Sequence, residues 1–427
     1  MNVFSTPTRR IVAIEFLLMF ALQSVYFVGV IGSATYTLHA GAADVALITL
    51  SLNACLVAGN AVAGPVIETI GPRRTLLGVF ALCALSGVAA WLLPMGFALL
   101  YFSSMTNGLL FGVGTTAIDA YPRFFSADAG ELARMNGLNQ VAVGAAVIAG
   151  PALAGWITTW APTQAVFVLL AVTPLPAIAL TWATREQLTA AEADGRGENE
   201  HSAERADERA DERAAERAAD HYAARETVDE KGAALATVVE GVRIVFCDDG
   251  LRTLFLIGFF GFFAYGAFDS LESLFYRDVL RVGTGWMGWL SAVSGIGGML
   301  GSMLVLKIPK EHFSLRLLAA ILVLVGVGSM LYTGTPFVLV AAVGQVVTGI
   351  GFGALAPVRT TLTQRRSDPT NIGRVTSVMR VGMNSAGVLP LLAAPALASA
   401  FGVQAVLFGA STFAALVGVW YLVRVRL

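Results

Sequence analysis

Long apolar stretches separated by short polar connections govern this chain. They run over residues 11–37, 43–68, 75–94, 97–121, 134–160 and 163–183, then over 251–277, 284–306, 314–333, 337–360, 371–399 and 401–423. Each can cross a hydrocarbon layer of ~30 Å at a helical rise of about 1.5 Å per residue. The pattern predicts an all-α membrane protein with twelve transmembrane helices, numbered 1 to 12 in chain order. One polar interval is long. It predicts an N-terminal six-helix bundle over 1–183, a charged linker with a surface helix over 184–250, and a C-terminal six-helix bundle over 251–427.

Composition strengthens the membrane reading: 56% of residues are hydrophobic, 13% are charged and the mean hydropathy is +0.71, whereas soluble domains are about a quarter charged. The charge is segregated. Between Arg185 and Lys231 lie fifteen acidic and eight basic residues, leaving the rest of the chain net positive. Glu204-Arg205, Glu208-Arg209, Glu212-Arg213 and Glu216-Arg217 repeat every four residues there, as in a solvated helix with neighbouring ion pairs or a disordered tether. Residues 233–246 read as the surface helix leading into helix 7. The run after Arg9-Arg10 has no convincing cleavage site and reads as helix 1 rather than a secretory signal. Cys55, Cys83 and Cys247 lack paired spacing and the four histidines are scattered, so neither a disulfide framework nor a metal site is expected.

Basic residues set the orientation. Alternate connections carry Arg9/Arg10, Arg73/Arg74, Arg123/Arg134, the linker, Lys307/Lys310/Arg316, Arg365/Arg366/Arg374 and Arg424/Arg426. The opposite connections hold no Lys or Arg beyond Arg277 and Arg281. The positive-inside rule then places both termini and the linker in the cytoplasm of a multi-pass cell-membrane protein.

The halves repeat each other. Gly108-Leu-Leu-Phe111-Gly112 recurs as Gly349-Ile-Gly-Phe352-Gly353, Arg134 as Arg374, and Pro151-Ala-Leu-Ala154 as Pro395-Ala-Leu-Ala398, at offsets of 241, 240 and 244. Recurrence with only slight drift in register predicts two parallel six-helix repeats around a central cavity. Between helices 2 and 3, Gly64-Pro-Val-Ile-Glu68-Thr-Ile-Gly71-Pro72-Arg73-Arg74 is a short surface connection. Gly64 leaves room for close helix approach, Glu68 can face a neighbouring helix N-terminus, and Gly71-Pro72 forces a turn. This stretch resembles the signature loop of the major facilitator superfamily, of the form G-x-x-x-D-R-x-G-R-R. Gly64, Gly71 and Arg73 match, Glu68 stands for the usual Asp, and Thr69 and Pro72 replace arginines.

Candidate chemistry lies in polar residues within the spans, where a charge costs ~2.5–3.5 kcal/mol on insertion scales. In helix 7, Tyr265, Asp269, Glu272 and Tyr276 recur at i, i+4, i+7 and i+11 on one face. The resemblance implies that helices 1, 4, 7 and 10 line the cavity, which points this face at substrate. A carboxylate shielded from water suits proton carriage. Asp269 is the first candidate, while Glu272 either shares the cavity or pairs at the surface with Arg277 or Arg281. Gln23 and Tyr26 of helix 1, Asn107 of helix 4 and Gln345 of helix 10 are further cavity candidates or helix–helix contacts. Glu15, just above Arg9-Arg10, suits a gate or a surface ion pair. Arg380, two turns into helix 11, reads as the only deep basic residue, needing a carboxylate or an anionic ligand. The Arg typical of helix 4 in proton-coupled members is absent.

The resemblance further implies a cytoplasmic gate in which Asp119, at the inner end of helix 4, pairs with Arg73 or Arg74 beside Glu68 when the protein faces outward. In helix 5, Ala146-x-x-x-Gly150-Pro151-x-x-Ala154-Gly155 resembles the G-x-x-x-G-P-x-x-G-G pattern of exporters in the superfamily, and physically it thins a helix face for packing against the other half. Gly295-Ile-Gly297-Gly298-Met-Leu-Gly301 lies inside a span with no preceding strand, so close helix packing is expected rather than nucleotide binding. The expectation is a secondary transporter resembling the drug and siderophore exporters: not an enzyme, without cofactor, metal or nucleic acid, monomeric in the bilayer. It would exchange an amphipathic small molecule for protons in a cavity walled by Tyr26, Phe262, Tyr265 and the Trp-rich helix 8. Alternatives are an importer or uniporter of a small metabolite and a substrate-sensing receptor.

Overall fold

The computed structural model describes residues 6–125, 129–184, 240–367 and 372–424. Twelve helices in it are long and apolar enough to cross a membrane: α1 Thr8–Thr37, α2 Ala42–Ile70, α3 Pro72–Leu92, α4 Phe97–Ala120, α5 Gly137–Ile157, α6 Thr163–Ala183, α7 Asp249–Val279, α8 Gly285–Val305, α9 Leu315–Thr333, α10 Val338–Arg366, α11 Arg374–Phe401 and α12 Val403–Arg424. The expected linker lies outside the described residues except for its two ends. The turn at Gly71 is as predicted: φ is +82° there, which favours glycine, and Pro72 starts α3 where no N–H is needed.

The sequence repeat is also a packing repeat. Gly108 and Gly112 of α4 lie against the backbone of α2 at Leu52 and Leu56, and Gly349 and Gly353 of α10 lie against α8 at Ser294 and Gly298. A Cβ at any of the four would overlap the opposite backbone, so glycine sets these interhelical distances. Gly297 and Gly301 of α8 press on Val346 and Ile350 of α10, so this glycine series serves packing. Gly64 does not behave as expected. No heavy atom outside its own turn lies within 4 Å of a Cβ built on it, and the close approach falls at Gly59, against Leu109 and Gly112.

The even number of spans puts the start of α1 and the end of α12 at one end of the bundle, called the terminal end. The halves are joined at the other. There, Thr35 donates to Ser273 (2.8 Å), Tyr36 to the Val282 carbonyl (2.9 Å), and Arg277 to the carbonyls of Thr35 (2.8 Å) and Ala40 (3.2 Å). Both helix ends in this seal are wound as π-helix, Val25–Ile31 and Ser33–Thr37 in α1 and Phe275–Val279 in α7, a wide turn common at functional positions. Gly155 of α5 meets Gly285 and Gly288 of α8 backbone to backbone. One apolar core runs through this seal, joining Leu18, Phe80 and Phe167 to Phe268, Phe275 and Met287. A second, with Leu254, Leu318, Val358 and Met379, belongs to the C-terminal half alone. Toward the terminal end, Asp119 of one half and Arg380 of the other are exposed. The conformation is closed at the far end and open at the terminal end.

Candidate functional site

Helix α7 is interrupted halfway. Its first part ends at Tyr265 and a second begins at Phe268. The break lies at Gly266, which touches the backbone of Gly387, where α11 is itself divided between Ala386 and Val388. Two glycines facing each other let both helices bend at one level. Asp269 and Glu272 follow within the next turn, on the side of α7 that walls a cavity of about 620 Å3. That volume suits a drug-sized ligand.

The two carboxylates are held differently. Glu272 Oε1 accepts from the hydroxyls of Tyr276 and Tyr332, both at 2.9 Å, and from Gln345 Nε2 at 3.0 Å. These donors come from α7, α9 and α10, so Glu272 ties three helices together. Hydrogen bonds to a charged acceptor are worth about 1.5–3 kcal/mol each, enough to offset the cost of a carboxylate in a span. Asp269 opens onto the cavity, and its carboxylate takes no hydrogen bond from the described residues. Only its backbone carbonyl is engaged, with Thr49 at 3.5 Å. Tyr265 bonds Ser329, which bonds Thr348 (3.2 Å), and its ring stacks on Phe268 and meets Phe352 edge-on. Asn53 and Asn60 of α2 supply the polar part of the opposite wall.

The helix 7 stripe is thus one polar face, with Tyr265, Asp269 and Glu272 on the cavity and Tyr276 buried behind Glu272. The alternative pairing of Glu272 with Arg277 or Arg281 is corrected: Arg277 bonds Asp278 (2.7 Å) and the seal carbonyls. Gln345 is where expected. Tyr26, Gln23 and Asn107 are not in the cavity wall. Tyr26 bonds Thr49 (3.2 Å), which fastens α1 to α2, and buried Asn107 donates to the Leu22 carbonyl (3.4 Å), which fastens α4 to α1. Gln23 is half-buried outside the cavity. Trp286 and Trp289 face outward from α8, so the Trp-rich helix contributes no aromatic wall; Phe262, Phe268, Phe352 and Tyr332 do. Glu15 is neither at the surface nor in an ion pair among the described residues: it is buried, with Oε2 lacking a hydrogen-bond partner there.

The gate residues stand apart in this conformation. Arg73 donates to the carbonyls of Thr181 (3.2 Å) and Trp182 (2.6 Å), capping the end of α6, while Arg74, Glu68 and Asp119 are exposed. In the helix 5 pattern, Gly155 and the Pro151 carbonyl contact α8 of the other half, as expected, but Gly150 packs on Phe20 and Ser24 of α1 in its own half. Arg380 is exposed rather than deeply buried, and the more enclosed arginine is Arg359 of α10, which the sequence reading passed over. Tyr332 and Ser329 were also missed. Their signal was present, since Ser329, Tyr332 and Thr333 interrupt the apolar run that follows Arg316 in α9 at helical spacing. No group of three or more His, Cys, Asp or Glu is arranged for a metal among the described residues.

The family model described as Major Facilitator Superfamily matches residues 11–343. No curated protein matches the sequence. Similar solved structures include a POT family transporter in complex with 5-aminolevulinic acid, 14% identical over 97% of this chain and 95% of that one, with a TM-score of 0.69. They also include a nucleoside transporter, 11% identical over 99% and 100%, TM-score 0.69, and a D-xylose-proton symporter, 14% identical over 97% and 96%, TM-score 0.65. At these identities the likeness is one of fold.

Proposed function

Because the chain belongs to the major facilitator superfamily, we propose that it is a secondary transporter that rocks its two bundles about the α7 cavity and couples a small molecule to protons at Asp269. The observation that carries this reading is the contrast between the two carboxylates. Glu272 is held by three donors and stays where it is, whereas Asp269 faces the cavity with no hydrogen-bonded partner among the described residues. A free carboxylate can take a proton or face a cation in turn, and the neutral form tolerates closure of the cavity around it. The substrate is a small molecule with a cationic group for Asp269 and an apolar body for Phe262, Phe268 and Phe352.

The direction proposed is export by antiport. It rests on the helix 5 pattern, whose Pro151 and Gly155 form the moving interface with α8. Uptake by symport is the second reading, favoured by the amides and hydroxyls of Asn53, Asn60, Gln345 and Thr348 on the cavity, which suit a polar solute. In both readings the chain is a monomer in the cell membrane with cytoplasmic termini, and residues 184–250 tether the halves.

Asp269→Asn tests the coupling in proteoliposomes. Exchange of substrate down its gradient should survive, and accumulation driven by an imposed pH gradient should fail. Accumulation that still follows the pH gradient in Asp269→Asn places coupling elsewhere. Comparing inside-out with right-side-out vesicles decides the direction.

A further inference from the structure

Toward the terminal end, a second chamber of about 260 Å3 opens beside the main cavity, walled by Arg359, Arg380, Thr360, Gln364 and Thr376. Its described lining contains two arginines and no acidic side chain. Arg380 is exposed at the rim and lies within electrostatic range of Asp119 in the other half. Arg359 has no carboxylate partner among the described residues. Its guanidinium sits 5.8 Å from the Phe262 ring centroid, and Nη1 points at the Met383 sulfur, 2.7 Å away. A thioether is a weak acceptor, so a five-donor cation rests here on groups that satisfy it poorly. Half-buried in a span, such a charge is expensive unless an anion completes it.

Phe262 and Met383 also wall the main cavity, so the two chambers share a partition made of the residues that Arg359 touches. Along α7, Phe262 precedes Asp269 by seven residues, a rise of about 10 Å. The combined space therefore has acidic groups, Asp269 and Glu272, on one side and basic groups, Arg359 and Arg380, on the other. We propose that the second chamber binds an acidic group of the transported molecule, a carboxylate or a phosphate, and that the substrate is a zwitterion whose acidic and basic groups lie about 10 Å apart. The inference deepens the cavity reading above and rests on it for the cationic end. It also narrows the substrate: a purely cationic amphiphile would fill only half of the charged space.

The test uses the purified full-length protein and three compounds in calorimetric titrations: 8-aminooctanoic acid, its amide, and its N-acetyl derivative. The free zwitterion should bind about tenfold or more tightly than the amide, the increment of one charge-assisted hydrogen-bond pair. Arg359→Gln should remove that preference and leave the amide's affinity unchanged, while Arg359→Lys should keep part of it. Equal affinity of zwitterion and amide in the unmodified protein overturns the proposal, as does an Arg359→Gln variant that weakens both compounds alike. Asp269→Asn separates the two readings. It should weaken the amide, and if it does not, the cation site at Asp269 fails while the arginine result stands on its own.

Discussion

Gly288→Ala should drive the protein toward the conformation open at the end away from its termini. A Cβ at Gly288 would lie 2.7 Å from Gly155 Cα, 2.8 Å from Gly155 N, and in overlap with the Pro151 carbonyl. Carbon contacts settle near 3.5–4.0 Å, so α5 and α8 must separate by about 1 Å, and backbone cannot step aside as a rotamer can. Overpacking of this kind costs about 1–3 kcal/mol. The helix-propensity gain of alanine over glycine, about 1 kcal/mol, is present in both conformations and cancels. The two helices belong to different halves, so the penalty falls on the sealed state alone and shifts the equilibrium by about 5–150-fold. Spin labels at Trp160→Cys and Phe337→Cys, in a background without the three native cysteines, report the far end, because both positions are exposed there and lie one in each half. Electron–electron distances should move to a longer population in Gly288→Ala. An unchanged distribution in folded protein would mean that the α5–α8 contact persists through the cycle, and the rocking picture would lose its interface.

Two further outcomes are expected. Arg277→Ala removes the donor to the Thr35 and Ala40 carbonyls, and because that side chain is 25% exposed the loss should be near 1 kcal/mol, below the usual range for charged hydrogen bonds. The same label pair should show a smaller lengthening than in Gly288→Ala, and a shift as large or larger contradicts the ranking. The double substitution Trp286→Ala and Trp289→Ala should leave substrate affinity within about twofold, as for surface changes; a tenfold loss in the binding assay would return these rings to the cavity.

The sequence made legible whatever depends on length, repetition and residue type along one helix. Twelve spans follow from hydrophobic length, and the glycine pairs at 108/112 and 349/353 identify the repeat because two backbones touch wherever they occur. The stripe from Tyr265 to Tyr276 is readable because four polar residues at helical spacing in an apolar span leave little choice of face. What stayed hidden is the rotation of helices that are apolar all round. Tyr26 and Asn107 looked like cavity residues because helices 1 and 4 were expected to line it, yet both bond neighbouring helices of their own half. The α8 tryptophans face outward for the same reason: periodicity cannot say which side meets lipid when both sides are greasy. Arg359 was passed over because, from the chain alone, an arginine two turns from a helix end looks like one more residue of the basic connection. Only the packing of α10 against α7 shows that it turns inward, over Phe262.

The placement of charge also explains why a twofold-repeated fold carries a one-sided site. The positions 241 residues before Asp269 and Glu272 are Val28 and Ile31, both buried in the core of the N-terminal half. Matching carboxylates there would each add about 2.5–3.5 kcal/mol of insertion cost. The N-terminal half instead lines the cavity with neutral amides from α2, Asn53 and Asn60. Under the proposed mechanism a charged ligand would be anchored to the C-terminal bundle through helices that break at Gly266 and Gly387, and the other bundle would move across it. Such a division would keep the strong electrostatic contacts within one half, so that the proposed rocking would break the seal at Gly155–Gly288 and not the grip on the ligand.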